Sequence, residues 1–194
     1  MNYPLELTFK KLAIARQLSV KDAGGQLIFY VKRKAFKLKE AVTVFADAAQ
    51  ATPLYTIAAD RVIDFSAQYH FTDTQGRAIG SVKRQGMKSL WKARYEVQAA
   101  GGRPMMIQEA NPWTKVLDSV VGEIPVVGMF TGYLLHPAYI VSGQGGEPLL
   151  RLEKLPAFFE GRFKIEQQAA LSDVEELAAL LSLLMVVMLE KGRG

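Results

Sequence analysis

Two groups of cations carry the clearest chemical potential in this sequence. Lys32, Arg33, Lys34, Lys37 and Lys39 crowd one stretch, and Lys83, Arg84, Lys88, Lys92 and Arg94 another. Cations at that density attract anions: phospholipid head groups, nucleic acid or acidic protein. Lysine also serves the solvated outer face of strands, where it discourages edge pairing. A third feature is apolar. Residues 124–135 offer Val126, Val127, Met129, Phe130, Tyr133 and Leu134 to a membrane, a ligand or a second subunit, or to packing across one end of the fold.

Other chemistry has no constellation to support it. His70 and His136 are far apart and neither has a ligand-spaced partner, so surface and turn roles are expected rather than metal binding. Asp60 and Asp64 share a strand face at their spacing, yet a general acid/base pair also needs a cleft and shifted pKa values. Gly143-Gln144-Gly145-Gly146 lacks the Lys-Ser/Thr of a phosphate loop and reads as a hairpin turn. There is no cysteine, which removes disulfides, thiolate metal sites and a cysteine nucleophile. The sequence therefore predicts no catalytic residue, no metal and no cofactor.

The elements that must position these residues read mainly as β. Three stretches repeat one grammar of short alternating runs around a polar break. Pro53-Leu54-Tyr55-Thr56-Ile57 leads through Val62-Ile63-Asp64-Phe65 to Gln68-Tyr69-His70-Phe71. Ala78-Ile79-Gly80-Ser81-Val82 leads through Ser89-Leu90-Trp91 to Arg94-Tyr95-Glu96-Val97. Pro148-Leu149-Leu150-Arg151-Leu152 leads through Ala157-Phe158-Phe159 to Arg162-Phe163-Lys164-Ile165. Period-two alternation marks half-buried strands. Asp73-Thr74-Gln75-Gly76, Ala100-Gly101-Gly102-Arg103, Gly143-Gln144-Gly145-Gly146 and Ala23-Gly24-Gly25 supply the turns. Roughly ten to twelve strands follow, and a meander of that length must close or stack to protect its edges.

The C-terminus breaks this pattern. Ser172-Asp173-Val174-Glu175 reads as a capping box, acids occupy the first turn, and Lys191-Gly192 closes the helix. From residue 177 to 189 every residue is apolar except Ser182. A helix apolar all round must be buried all round, in lipid or in protein. The run falls short of the roughly 20 residues of a membrane span and lacks an aromatic belt. The interior of a wide barrel fits it better, because about 18 helical residues and eight strand residues both span roughly 27 Å. Residues 112–137 form a second exception, a short helical insertion.

The predicted fold is therefore a closed antiparallel barrel of about twelve strands enclosing a hydrophobic C-terminal helix, one domain over residues 1–194. At 194 residues the chain suits such a unit, and 49% apolar residues supply its core. The net charge of +5 is a modest excess. The first residues show no secretory signal, which with the absence of cysteine leads us to expect the cytoplasm.

These motifs resemble the LURP-one-related family, within the wider tubby C-terminal-like group that includes phospholipid scramblases. The resemblance rests on Phe71-Thr72-Asp73-Thr74-Gln75-Gly76-Arg77-Ala78-Ile79-Gly80-Ser81-Val82, a strand, an Asp-x-x-Gly turn and a small apolar strand. A looser version without the glycine runs from Asp47 to Ile57, and a third follows Gly146. Leu90-Trp91-Lys92-Ala93-Arg94-Tyr95-Glu96-Val97 resembles the family's next strand, and the terminal helix completes a pattern over roughly residues 25–190. It implies a twelve-stranded barrel around a central helix. Scramblase activity is not carried over, because the chain lacks cysteine and the stretch before its helix lacks the oxygen ligands calcium needs.

The expected function is a non-enzymatic binding module that contacts anionic phospholipid peripherally, through the ten cations named above and the 124–135 segment. The alternative is a protein-interaction or scaffold protein that uses the same segment, homo-oligomeric in one version. Nucleic acid ranks third. Trp91, Tyr95 and Tyr69 alternate with the cations along their strands, so they should face the core rather than a stacked base.

Overall fold

Twelve short alternating segments build the wall, and β8 (Arg94–Ala99) shows the rule most plainly. Tyr95, Val97 and Ala99 are buried, while Arg94, Glu96 and Gln98 are exposed. The computed structural model describes residues 1–11, 15–33, 41–61, 67–85, 94–110, 138–156 and 161–191. Before β8 come β1 (Leu5–Lys11), β2 (Arg16–Lys21), β3 (Leu27–Arg33), β4 (Val42–Phe45), β5 (Pro53–Ala59), β6 (Gln68–Asp73) and β7 (Ala78–Gln85). After it come β9 (Pro104–Glu109), β10 (Ala138–Ser142), β11 (Pro148–Leu155) and β12 (Gly161–Gln167). Each strand pairs with its sequence neighbours, and β1 pairs antiparallel with β12, so the sheet closes on itself.

A meander of this kind alternates between two ends. At one end lie the tight turns after β2, β4, β6, β8 and β10, and we call it the hairpin end. The turns after β2 and β6 are built alike. Asp22 and Asp73 carbonyls accept from the N–H of Gly25 and Gly76, and their carboxylates accept from the N–H of Gln26 and Arg77. Gly76 sits at φ 79°, where a Cβ is strained, so the Asp-x-x-Gly pattern follows from geometry. In the turn after β4 the equivalent residue is Gln50, held at φ 61° while the Asp47 carboxylate accepts from Ala51 and Thr52.

Among the described residues one element is helical, α1 (Asp173–Lys191), and it fills the barrel. Every residue from Ala178 to Leu189 is buried, so no face of this stretch meets solvent. Leu7, Leu18, Phe71, Ile107, Leu152 and Ile165 on the wall share one apolar cluster with Leu181, Leu184 and Val186 on the helix. Full burial of each large side chain contributes about 1.5–3 kcal/mol, which makes the helix the centre of the core. Ser182 is harmless there because its hydroxyl donates to the Ala178 carbonyl at 2.7 Å. Where the helix comes nearest the wall the residues are small. A Cβ on Gly80 of β7 would collide with the Gln98 carbonyl oxygen and lie 3.1 Å from the Ala178 Cβ.

The wall has one thin seam. β3 and β4 share a single registered pair, Tyr30↔Phe45, near the hairpin end. Phe29 and Tyr55 brace it from within, edge to face with ring centroids 6.0 Å apart. β1 and β2, in contrast, pair from Glu6↔Lys21 through Lys11↔Arg16.

The predicted closed barrel of twelve strands and its enclosed helix are present. The expected insertion at 112–137 lies outside the described residues, as do the runs containing Val62, Trp91 and Phe158.

Candidate functional site

The two ends differ in charge because different residues finish the strands there. At the hairpin end the helix begins, and its capping residue Glu175 does more than cap. It accepts from the Ser172 N–H at 3.1 Å, as a capping box requires. It also accepts from the Arg103 backbone N–H at 3.0 Å and from Arg103 Nε at 2.9 Å. The Arg103 guanidinium, then these backbone donors, hold the Glu175 carboxyl down to about 2. Arg103 reaches Glu147 of the next turn as well, at 3.9 Å. Asp47 is likewise held below the usual carboxylate range by the N–H groups of Ala51 and Thr52. Acids at this end therefore serve as structural acceptors.

The opposite end, which we call distal, is finished by cations. β1 ends at Lys10 and Lys11, β2 starts at Arg16, and β3 ends at Lys32 and Arg33. β7 ends with Lys83 and Arg84 before Gln85, β8 starts at Arg94, and β12 starts with Gly161 and Arg162. Lys32 and Lys83 are exposed on the outer face, paired in register with Gln17 and Glu96. Arg84 is half-buried beside Tyr95, and Arg94 is exposed across from Gln85 and Gln108. Both predicted basic groups thus begin at the distal end, but on different walls, since β3 and β7 are separated by three strands. The side chain of Arg33 and all of Lys34, Lys37, Lys39, Lys88 and Lys92 lie outside the described residues. So do the apolar candidates Val126, Val127, Met129, Phe130, Tyr133 and Leu134, and so does His136.

The structure does gather Lys83 and Arg94 around a feature that has no mark in the sequence. A groove of about 570 Å³ crosses the outer wall from β6 to β10. Small outward residues make the depression: Ser81 and Ser142 are 7% and 6% exposed because longer neighbours overtop them. Around its rim stand Lys83, Arg94 and Glu96, with the amides of Gln68, Gln98, Gln108 and Gln144. Glu96 accepts from Gln85, and Gln68 donates to Ser81 at 2.8 Å. No pattern in one strand reveals this groove, because its lining comes from five strands and one turn. Tyr69 and Tyr95 face the core as expected, and His70 is on the surface of β6. Of the two acids, only Asp60 is described. It binds Arg61 and the Gln68 N–H, while Asp64 lies outside the described residues. Among the described residues there is no cluster of metal-ligating side chains, and no helix long and apolar enough to cross a membrane.

The fold and surface define a class: a closed β-barrel filled by its own helix, with its notable polar surface on the wall and the distal end. Within that class the family is plain. A family model described as LURP-one-related matches residues 5–115, more than half of the chain, and the chain belongs to that family. The match starts ahead of residue 25, where the sequence motifs first become legible, and so takes in β1 and β2. An X-ray structure of a protein from Arabidopsis thaliana is similar over 97% of this chain and 91% of that one, at 14% identity and a TM-score of 0.48. No curated protein matches the chain.

Proposed function

We propose that this chain is a non-enzymatic binding module that meets an anionic phospholipid surface with the distal end of its barrel. One observation carries the reading: the charge asymmetry between the ends. Lys10, Arg16, Lys32, Lys83, Arg84 and Arg94 stand at distal strand ends against Asp60 and Glu109, whereas Asp22, Asp47, Asp73, Glu147 and Glu175 stand at the hairpin end against Lys21, Arg77 and Arg103. An anionic surface attracts each nearby Lys or Arg by about 1 kcal/mol, and such a dipolar molecule would approach it distal end first. The apolar residues 124–135 follow β9 in sequence, and an apolar segment of that composition suits shallow insertion into a bilayer surface. A cysteine-free chain suits the reducing cytoplasm, and the leaflet facing it carries anionic lipid.

Vesicle co-sedimentation tests this directly. Binding to vesicles with phosphatidylserine, absent with phosphatidylcholine alone and lost at high salt, is the expected result. Replacing Lys32, Lys83 and Arg94 together by Glu should abolish it. Retention on neither vesicle type at low salt would sink the proposal and leave a protein interface as the reading to pursue.

A further inference from the structure

We infer that the groove across β6 to β10 is a docking site for an extended acidic peptide, a partner distinct from the membrane surface proposed above. The first support is a contrast among arginines. Arg61, Arg77, Arg103, Arg151 and Arg162 are each engaged by a carboxylate. Arg16 and Arg84 also have partners. Among arginines whose side chains are described, Arg94 is the one with no hydrogen bond or ion pair, and it stands exposed on the groove rim. Lys83 on the same rim has no partner among the described residues either, although Glu96, which accepts from Gln85, lies opposite it in register. Lys83 and Arg94 stand diagonally across β7 and β8, two residues out of register with Glu96 beside both, and cations without a side-chain partner there are a receptor for an incoming carboxylate.

The second support is the kind of polar group along the rest of the groove. A primary amide carries the donor and acceptor of a peptide group in one plane, so it pairs with main chain whatever the side-chain sequence. Among the described residues Gln108 and Gln144 make no side-chain hydrogen bonds, and Gln68 and Gln98 use only their Nε2 atoms. Met106 and Pro104 add an adaptable apolar patch for one side chain. The four strand spacings from β6 to β10 amount to roughly 19 Å, the length of about six extended residues. A small anion would use the two cations and leave the amides idle; a peptide uses both.

The test is fluorescence anisotropy with a labelled peptide of about six residues alternating Glu and Val, against its Lys-for-Glu counterpart. The acidic peptide should bind and the basic one should not. Arg94→Ala should weaken binding at least tenfold. Gln108→Leu together with Gln144→Leu should weaken it several-fold while leaving vesicle binding unchanged, since neither residue is a cation. That last readout separates this site from the membrane surface. Equal binding of both peptides, or unchanged affinity in either groove variant with the thermal melt intact, overturns the inference.

Discussion

The two ends of this barrel are made from the same strands and do different work. The hairpin end is closed by five tight turns, and its carboxylates are spent on backbone N–H groups and on Arg103. The helix starts there, tied to the wall through Glu175. At the distal end most connections are longer, up to residues 110–137 between β9 and β10, and the strand ends carry cations such as Lys32 and Lys83 that bind no carboxylate among the described residues. The difference teaches a division of labour common to barrels. Paired charges in short turns stabilise structure, while unpaired charges at the mouths of longer connections are available to a partner.

The sharpest way to break this picture is to attack what both ends share, the helix. Leu184 is fully buried, and Leu184→Asp places an unpaired charge in the core at a cost of several kcal/mol. Total stabilities are about 5–15 kcal/mol, so the variant should fail to fold. A cooperative far-ultraviolet melt from a monomeric Leu184→Asp protein would show that the helix is dispensable and that the ends are not organised around it.

A smaller effect isolates the hairpin end. Glu175→Gln should cost on the order of 2 kcal/mol at neutral pH, because a charged acceptor of several hydrogen bonds becomes neutral. The pH dependence has a definite sign. The folded carboxyl titrates near 2 and the unfolded one near 4.5, so its contribution is complete above 4.5 and is lost as pH falls toward 2. Urea melts of the two proteins should therefore diverge above pH 5 and converge on acidification. A constant gap at every pH would mean that Glu175 acts by shape rather than charge.

The seam sharpens the comparison along the strands. β3 and β4 meet only at Tyr30↔Phe45, so amides facing that gap should exchange with solvent at least tenfold faster than those between β1 and β2. Hydrogen exchange read by NMR decides it, and equal protection would show the barrel to be uniformly closed. The smallest expected effect is a gain. Gln50→Gly should stabilise by up to about 1 kcal/mol, since the residue occupies the position that Gly25 and Gly76 fill in sister turns. No gain in a thermal melt would mean that the glutamine side chain offsets its own backbone strain.

Much of this was written locally. Strands such as β6, β7, β8, β11 and β12 were legible because one face of each is buried, which forces period two on the sequence. The Asp-x-x-Gly turns were legible because few residues tolerate positive φ. Even the enclosed position of the helix could be read, since residues 177–189 present no polar face to put in water. Shorter strands gave weaker marks: β4 has one residue pair of alternation to show, and β10 is buried along most of its length.

What the sequence determined by itself is therefore the inventory: strands, turns, a buried helix and an excess of cations. Only the tertiary structure decided which of these share a surface. The strand order put the described cations Lys32, Lys83, Arg84 and Arg94 at one end but on separate walls, and it assembled the groove from five strands spread over residues 68–142. It also made Glu175 a clamp, since Arg103 is distant in sequence and adjacent only once the helix is inside. The physical reason is one of range. Propensity and periodicity act over a few residues, whereas a surface is made by neighbours that the chain brings together only by folding.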